Sequence, residues 1–288
     1  MLNDYISLLI KTKATYHANK KVEFDLLENN PFAIYIIRPL SIYLTPFFVK
    51  FDISANVVTT TGFIFAIIAS LLLCTGQFSF MQWGGWLYLL NNLFDYIDGN
   101  VARFYGKTNH FGKFIDGTFG AITDTIVFFT LGIGVFYQIS AAEIHTFWPI
   151  SDAYIFIILG SMAACSNVLN SYLQIRFSRA QADADLARNE PNNSEKSPET
   201  VAILADNQRE SILHAFLRLG WHSAEIILKY LTWFARLFKV PGLVLAIYLN
   251  SADLYLIFYA FYFLYDVVWE YIKMLYLGRQ VLNVFRPY

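Results

Sequence analysis

Charge is scarce in this chain. Of 288 residues only 15% are Asp, Glu, Lys or Arg, against 56% hydrophobic and 18% aromatic, a balance too apolar for a soluble domain of this size. The net charge of −1 gives no overall pull toward nucleic acid. Cysteine is limited to Cys74 and Cys165, both in apolar runs, which excludes a disulfide framework and offers no zinc pattern. The opening MLNDYISLLIKTK lacks the basic segment and small-residue cleavage site of a secretory signal, so Met1 reads as the mature end. No internal repeat is evident.

What is present is a series of apolar runs long enough to cross roughly 30 Å of hydrocarbon, which takes about 20 helical residues. They predict an all-α integral membrane protein with spans near 56–76, 82–104, 113–138, 153–176, 226–249 and 252–276. The fifth has the least definite start, because Arg218, His222, Glu225, Lys229, Arg236 and Lys239 punctuate it ahead of Pro241. Residues 1–50 mix apolar and basic positions divided by Pro31, Pro39 and Pro46, the composition of an interfacial amphipathic helix or two on an anionic leaflet, or else of a cytosolic tail. Residues 51–288 form the six-helix domain, interrupted at 178–211 by a polar stretch with two prolines that reads as a flexible cytoplasmic loop. Lys and Arg concentrate in 1–55, 103–113, 177–211 and 277–288 and are absent from 77–81, 139–152 and 250–253. That asymmetry puts both termini in the cytoplasm.

The chemistry concentrates in DYIDGNVARFYGKTNHFGKFIDGTFG, residues 95–120. Carboxylates are costly to keep near a membrane and are usually retained for a cation or a reaction. Asp95 and Asp98 stand i, i+3 on one helical face, Gly99 and Ala102 leave room beside them, and Arg103 adds a fixed positive charge. Oxygen-only ligands suit Mg²⁺ or Mn²⁺ rather than zinc. The alternative for any one of these residues is an intrahelical ion pair with a snorkelling cap. The pattern as a whole reads as a site for divalent metal and a phosphorylated ligand on the cytoplasmic side.

Asp95-x2-Asp98-Gly99-x2-Ala102-Arg103-x8-Gly112-x3-Asp116 resembles the signature of the CDP-alcohol phosphatidyltransferase family, membrane enzymes that transfer a phosphoalcohol group from a CDP-linked donor. The resemblance takes in Asn56 and Thr59 at the start of the first span and extends from about Arg38 onward. It implies that Asp95, Asp98 and Asp116 hold two Mg²⁺ or Mn²⁺ ions. It also implies that Asn56, Thr59, Gly99, Ala102, Arg103 and Gly112 join Asp95 and Asp98 in binding the CDP group of a donor such as CDP-diacylglycerol. A lipid or polar alcohol would attack, CMP would leave, and the protein would be a homodimer among membrane lipids. Gly112 has a second reading, as a simple helix start.

The family pattern has a fourth Asp, a metal ligand and general base, where this chain has Gly120. Asp124 is a poor substitute, since it lies about 12 Å along a helix axis from Asp116 against about 6 Å for position 120; its other reading is a polar contact with a neighbouring helix. His110 and Glu225 are weak alternatives as base. Otherwise the acceptor is already ionised, or the protein is a silent relative that binds CDP-lipid or a partner. A small-solute transporter is a third possibility, which inverted repeats would favour. For the acceptor, the sequence offers the stripe Ser166, Asn167, Asn170 and Gln174 leading to Arg176 and Arg179, which either binds a head group or glues helices. Asp266 and Glu270 line the same cavity or pair with Lys273.

Overall fold

Ser54 opens the most apolar span among the described residues. Its backbone is extended (φ −71°, ψ 152°) and its hydroxyl accepts the Val57 N–H at 3.4 Å, satisfying one donor that the first helical turn leaves unpaired. The computed structural model describes residues 2–18, 32–106, 110–141, 153–189 and 212–282. Every described element is helical: α1 (Leu2–Ala18), α2 (Arg38–Lys50), α3 (Ala55–Cys74), α4 (Phe78–Phe104), α5 (His110–Ser140), α6 (Tyr154–Asn189), α7 (Ile212–Tyr248) and α8 (Ala252–Leu282).

Five of these contain stretches long and apolar enough to cross a membrane: Ala55–Cys74, Gly117–Ser140, Tyr154–Arg176, Tyr230–Tyr248 and Ala252–Ile272. The expected second span, 82–104, falls within α4. That helix is 27 residues long but carries Asn91, Asn92, Asp95, Asp98, Asn100 and Arg103 in its second half. Large apolar side chains face outward along the spans, among them Ile64, Ile67, Leu71, Ile158, Leu245 and Phe261, as a lipid-facing surface requires and an aqueous one does not tolerate. The helix α6 runs on to Asn189, so 178–189 is helical where the sequence suggests a loop. Its run of Ala, Gln, Leu and Arg contains no Gly or Pro to stop it. Residues 190–211 of that expected loop lie outside the described residues.

Packing is set by small residues. A Cβ at Gly132 would lie 2.6 Å from Phe156 O and 2.9 Å from Gly160 Cα, and one at Gly134 only 2.0 Å from Leu73 O. Helix α5 therefore touches α6 and α3 through bare backbone, which small residues permit in membranes. The core beside these crossings is aromatic, with the Phe128 ring in contact with those of Tyr255, Tyr259 and Phe263.

The N-terminal helices pack on the C-terminal half of α4. Ahead of α2, Ala33–Ile37 forms one π-helical turn, and Arg38 N–H reaches back to Ala33 O. Pro39 explains the widening, since it has no N–H to continue an α-helical ladder. Arg38 lies over the Tyr96 ring (5.8 Å) and Lys11 over Phe104 (4.3 Å), which ties both segments to α4. Between α2 and α3, Asp52 sits in the left-handed region (φ 52°), and Tyr105 at the end of α4 donates to its Oδ1 at 3.0 Å. Desolvation, then this hydrogen bond, raises the Tyr105 pKa above its usual value.

Candidate active site

Three helices converge where the acidic run predicts a site. Thr59, Gly62 and Phe63 of α3, Asn91, Asp95 and Asp98 of α4, and Phe119, Gly120 and Thr123 of α5 line one polar cleft of about 30 Å³. That space admits an ion or one or two waters, not a nucleotide. A cytidine group would have to lie at its open mouth. Gly62 sets the spacing of α3 against α4, because a Cβ there would meet Phe94 Cβ at 3.0 Å. On the α3–α5 side the rings of Phe63 and Phe119 stack at 4.3 Å and wall the cleft.

Asp98 is buried, 5% exposed, while Asp95 one turn earlier is exposed. Thr59 Oγ1 lies 2.5 Å from Asp98 Oδ2 and 3.0 Å from Ala55 O. With one proton to donate, its shorter contact is to the carboxylate, and this fixes the direction of Asp98. Asn56 is exposed on the first turn of α3, and Gly112 lies near the start of α5. The side chains of Asp116, His110 and Glu225 lie outside the described residues. The backbone of Asp116 is one turn before Gly120 on α5.

Residues 52–187 match the CDP-alcohol phosphatidyltransferase family model. This stretch, a little under half of the chain, is similar to that family. No curated protein matches the sequence. The matching stretch spans α3 to most of α6 and so contains the whole cleft, whereas α1, α2, α7 and α8 lie beyond it. With this similarity, the five apolar spans make the chain an integral membrane protein.

Family members use divalent metal. Asp95, Asp98 and the oxygen atoms of Thr59, Asn91 and Thr123 offer the hard donors that Mg²⁺ or Mn²⁺ takes. Among the described residues no three His, Cys, Asp or Glu side chains converge, so the donor set fits the metal in kind while the described carboxylates number two. At Gly120 no described atom lies within 4 Å of where a Cβ would stand. The fourth carboxylate of the family pattern would meet no steric obstacle there.

Two candidates for the base or the donor site have other contacts. Asp124 is not in the cleft lining: its Oδ1 accepts from Tyr88 at 2.7 Å and its Oδ2 pairs with Lys239 Nζ at 2.5 Å. These contacts join α5 to α4 and α7. The room beside Gly99 is taken up by Arg103, whose Nη2 would be 3.3 Å from a Cβ at that position. Arg103 Nη2 also donates to Asn100 Oδ1 at 2.9 Å, and Asn100 Nδ2 donates to Ser41 Oγ at 2.9 Å.

On the expected acceptor stripe, Ser166 is buried and Asn170 Nδ2 hydrogen-bonds Asp266 Oδ2, joining α6 to α8. Gln174 donates to Asn170 Oδ1 at 3.3 Å, and Arg176 Nε donates to Tyr172 OH at 2.9 Å with its guanidinium over that ring. Arg176 and Arg179 are exposed. The Lys273 side chain lies outside the described residues. Sequence reasoning missed Asn91 and Thr123 in the cleft. Both were accessible to periodicity, since Asn91 precedes Asp95 by four residues and Thr123 follows Gly120 by three.

Proposed function

We propose that the protein transfers a phosphoalcohol group from a CDP-linked donor such as CDP-diacylglycerol to a lipid or polar acceptor and releases CMP. The observation that carries this is the convergence of Thr59, Asp95, Asp98 and Gly120 on one cleft inside the family-matching stretch. Asp95, Asp98 and Asp116 would hold Mg²⁺ or Mn²⁺, which when bound neutralises the pyrophosphate and eases departure of CMP. Thr59 keeps the Asp98 carboxylate aimed into the cleft. Arg103 contacts the donor phosphates from the same helix. In this reading α4 is a sixth span, its 27 residues reaching about 40 Å at 1.5 Å each. The basic segments, and with them the cleft, face the cytoplasm, and α1 and α2 lie along that surface of a homodimer.

A second reading is favoured by Gly120. With no carboxylate there, a hydroxyl acceptor lacks its expected base, and the protein would bind CDP-lipid without turning it over. Incubating purified protein with Mn²⁺ or Mg²⁺, CDP-diacylglycerol or soluble CDP-alcohols and a metabolite extract, beside Asp98→Asn, separates the two. Metal-dependent CMP release absent from Asp98→Asn supports transfer. Metal-dependent retention of CDP-diacylglycerol without CMP supports the silent binder.

A further inference from the structure

We infer that Ser41 and Asn100 are positioning residues for Arg103, so that α2, outside the family-matching stretch, sets the affinity of the site for a cytidine diphosphate group. The inference rests on the reading of Arg103 as a phosphate contact. Three hydrogen bonds run in one direction: Arg103 Nη2 to Asn100 Oδ1 (2.9 Å), Asn100 Nδ2 to Ser41 Oγ (2.9 Å) and Ser41 Oγ to Arg38 O (2.8 Å). Asn100 and Ser41 are 5% and 1% exposed, so water does not compete for these groups.

The chemistry of each group fixes the polarity of the chain. Ser41 has one hydroxyl proton and gives it to the Arg38 carbonyl, which leaves the oxygen as an acceptor toward Asn100. Asn100 must then turn its NH₂ to Ser41 and its carbonyl to Arg103. Were the amide reversed, its NH₂ would face a guanidinium that can only donate. The guanidinium is thereby held across Gly99, 3.3–3.6 Å from where a Cβ would stand, one turn beyond Asp98. The Arg38 end is itself anchored by the π-helical turn and by Tyr96. A guanidinium held in place loses less freedom on meeting phosphate.

The test is the affinity of the full chain for CDP with Mn²⁺, measured in detergent by equilibrium dialysis. Arg103→Ala is expected to weaken binding. Ser41→Ala is expected to weaken it about threefold to tenfold, the range of one neutral hydrogen bond, while Ser41→Thr, which keeps the hydroxyl, stays nearer to wild type. In an Arg103→Ala background, Ser41→Ala is expected to add less than about twofold. Should Ser41→Ala not fold, Ser41→Cys replaces it, with a similar shape but a weak acceptor. Unchanged CDP affinity in Ser41→Ala, or an equal loss in both backgrounds, overturns the inference while leaving Arg103 as a phosphate contact. Wild-type affinity in Arg103→Ala overturns that contact and the inference together. Absence of CDP binding by the wild-type protein overturns the proposed function as well.

Discussion

Replacing Lys239 by Met would strip Asp124 of its cation within an apolar span. The two side chains are 25% and 22% exposed and 2.5 Å apart, and Tyr88 keeps its hydrogen bond to Asp124. Removing one partner of a buried pair costs about 3–5 kcal/mol. The remaining Tyr88 bond and the partial exposure place the expected loss at the lower end, about 3 kcal/mol. Asp124→Asn, which strands Lys239, should cost a similar amount. In Asp124→Asn/Lys239→Met no charge is stranded, and the combined loss should fall at least about 2 kcal/mol below the sum of the singles. Unfolding in mixed detergent micelles, titrated with a denaturing detergent, measures the cycle. Losses that add to within about 0.5 kcal/mol would refute the pairing.

Gly120→Asp should fold as well as wild type, because no described atom crowds the new Cβ. It should bind Mn²⁺ more tightly and, with a hydroxyl acceptor, release CMP about 10²–10⁴ times faster; isothermal titration and a CMP assay check the two effects. Thr59→Val, which loses the bond to Asp98, should weaken Mn²⁺ binding by about tenfold, as for other partners of metal ligands, and titration of Mn²⁺ followed by electron paramagnetic resonance would show it. Gly132→Val should destabilise severely, since its Cβ would lie 2.6 Å from Phe156 O, and a thermal melt in detergent that matches wild type would contradict the α5–α6 crossing.

The fold was legible where hydropathy is unbroken. The runs behind α3, α5, α6 and α8 announce themselves, whereas α4 carries its apolar half before its acidic half and α7 is apolar enough only from Tyr230. The continuation of α6 through Asn189 was hidden because polar helix formers and polar loops share a composition. In the site, the i, i+3 spacing placed Asp95 and Asp98 on one face, and the structure brings them together with Thr59. Which residues pair across helices does not follow from periodicity. The Asp124–Lys239, Asn170–Asp266 and Asn100–Ser41 contacts join residues 115, 96 and 59 positions apart, and only the packed bundle shows that these polar groups hold helices together. Gly99 illustrates the same limit. Sequence spacing opened a space beside it, and a side chain one turn along the same helix fills it.

The measurement that bears most directly on the account follows the phosphorus. Purified protein with Mn²⁺ is given CDP-diacylglycerol labelled at the phosphate next to the lipid, together with a metabolite extract, and the products are separated. Transfer predicts label in a new phosphodiester and an equal amount of unlabelled CMP, both lost in Asp98→Asn. Label that stays in CDP-diacylglycerol while wild-type protein retains the lipid in a metal-dependent way would contradict transfer.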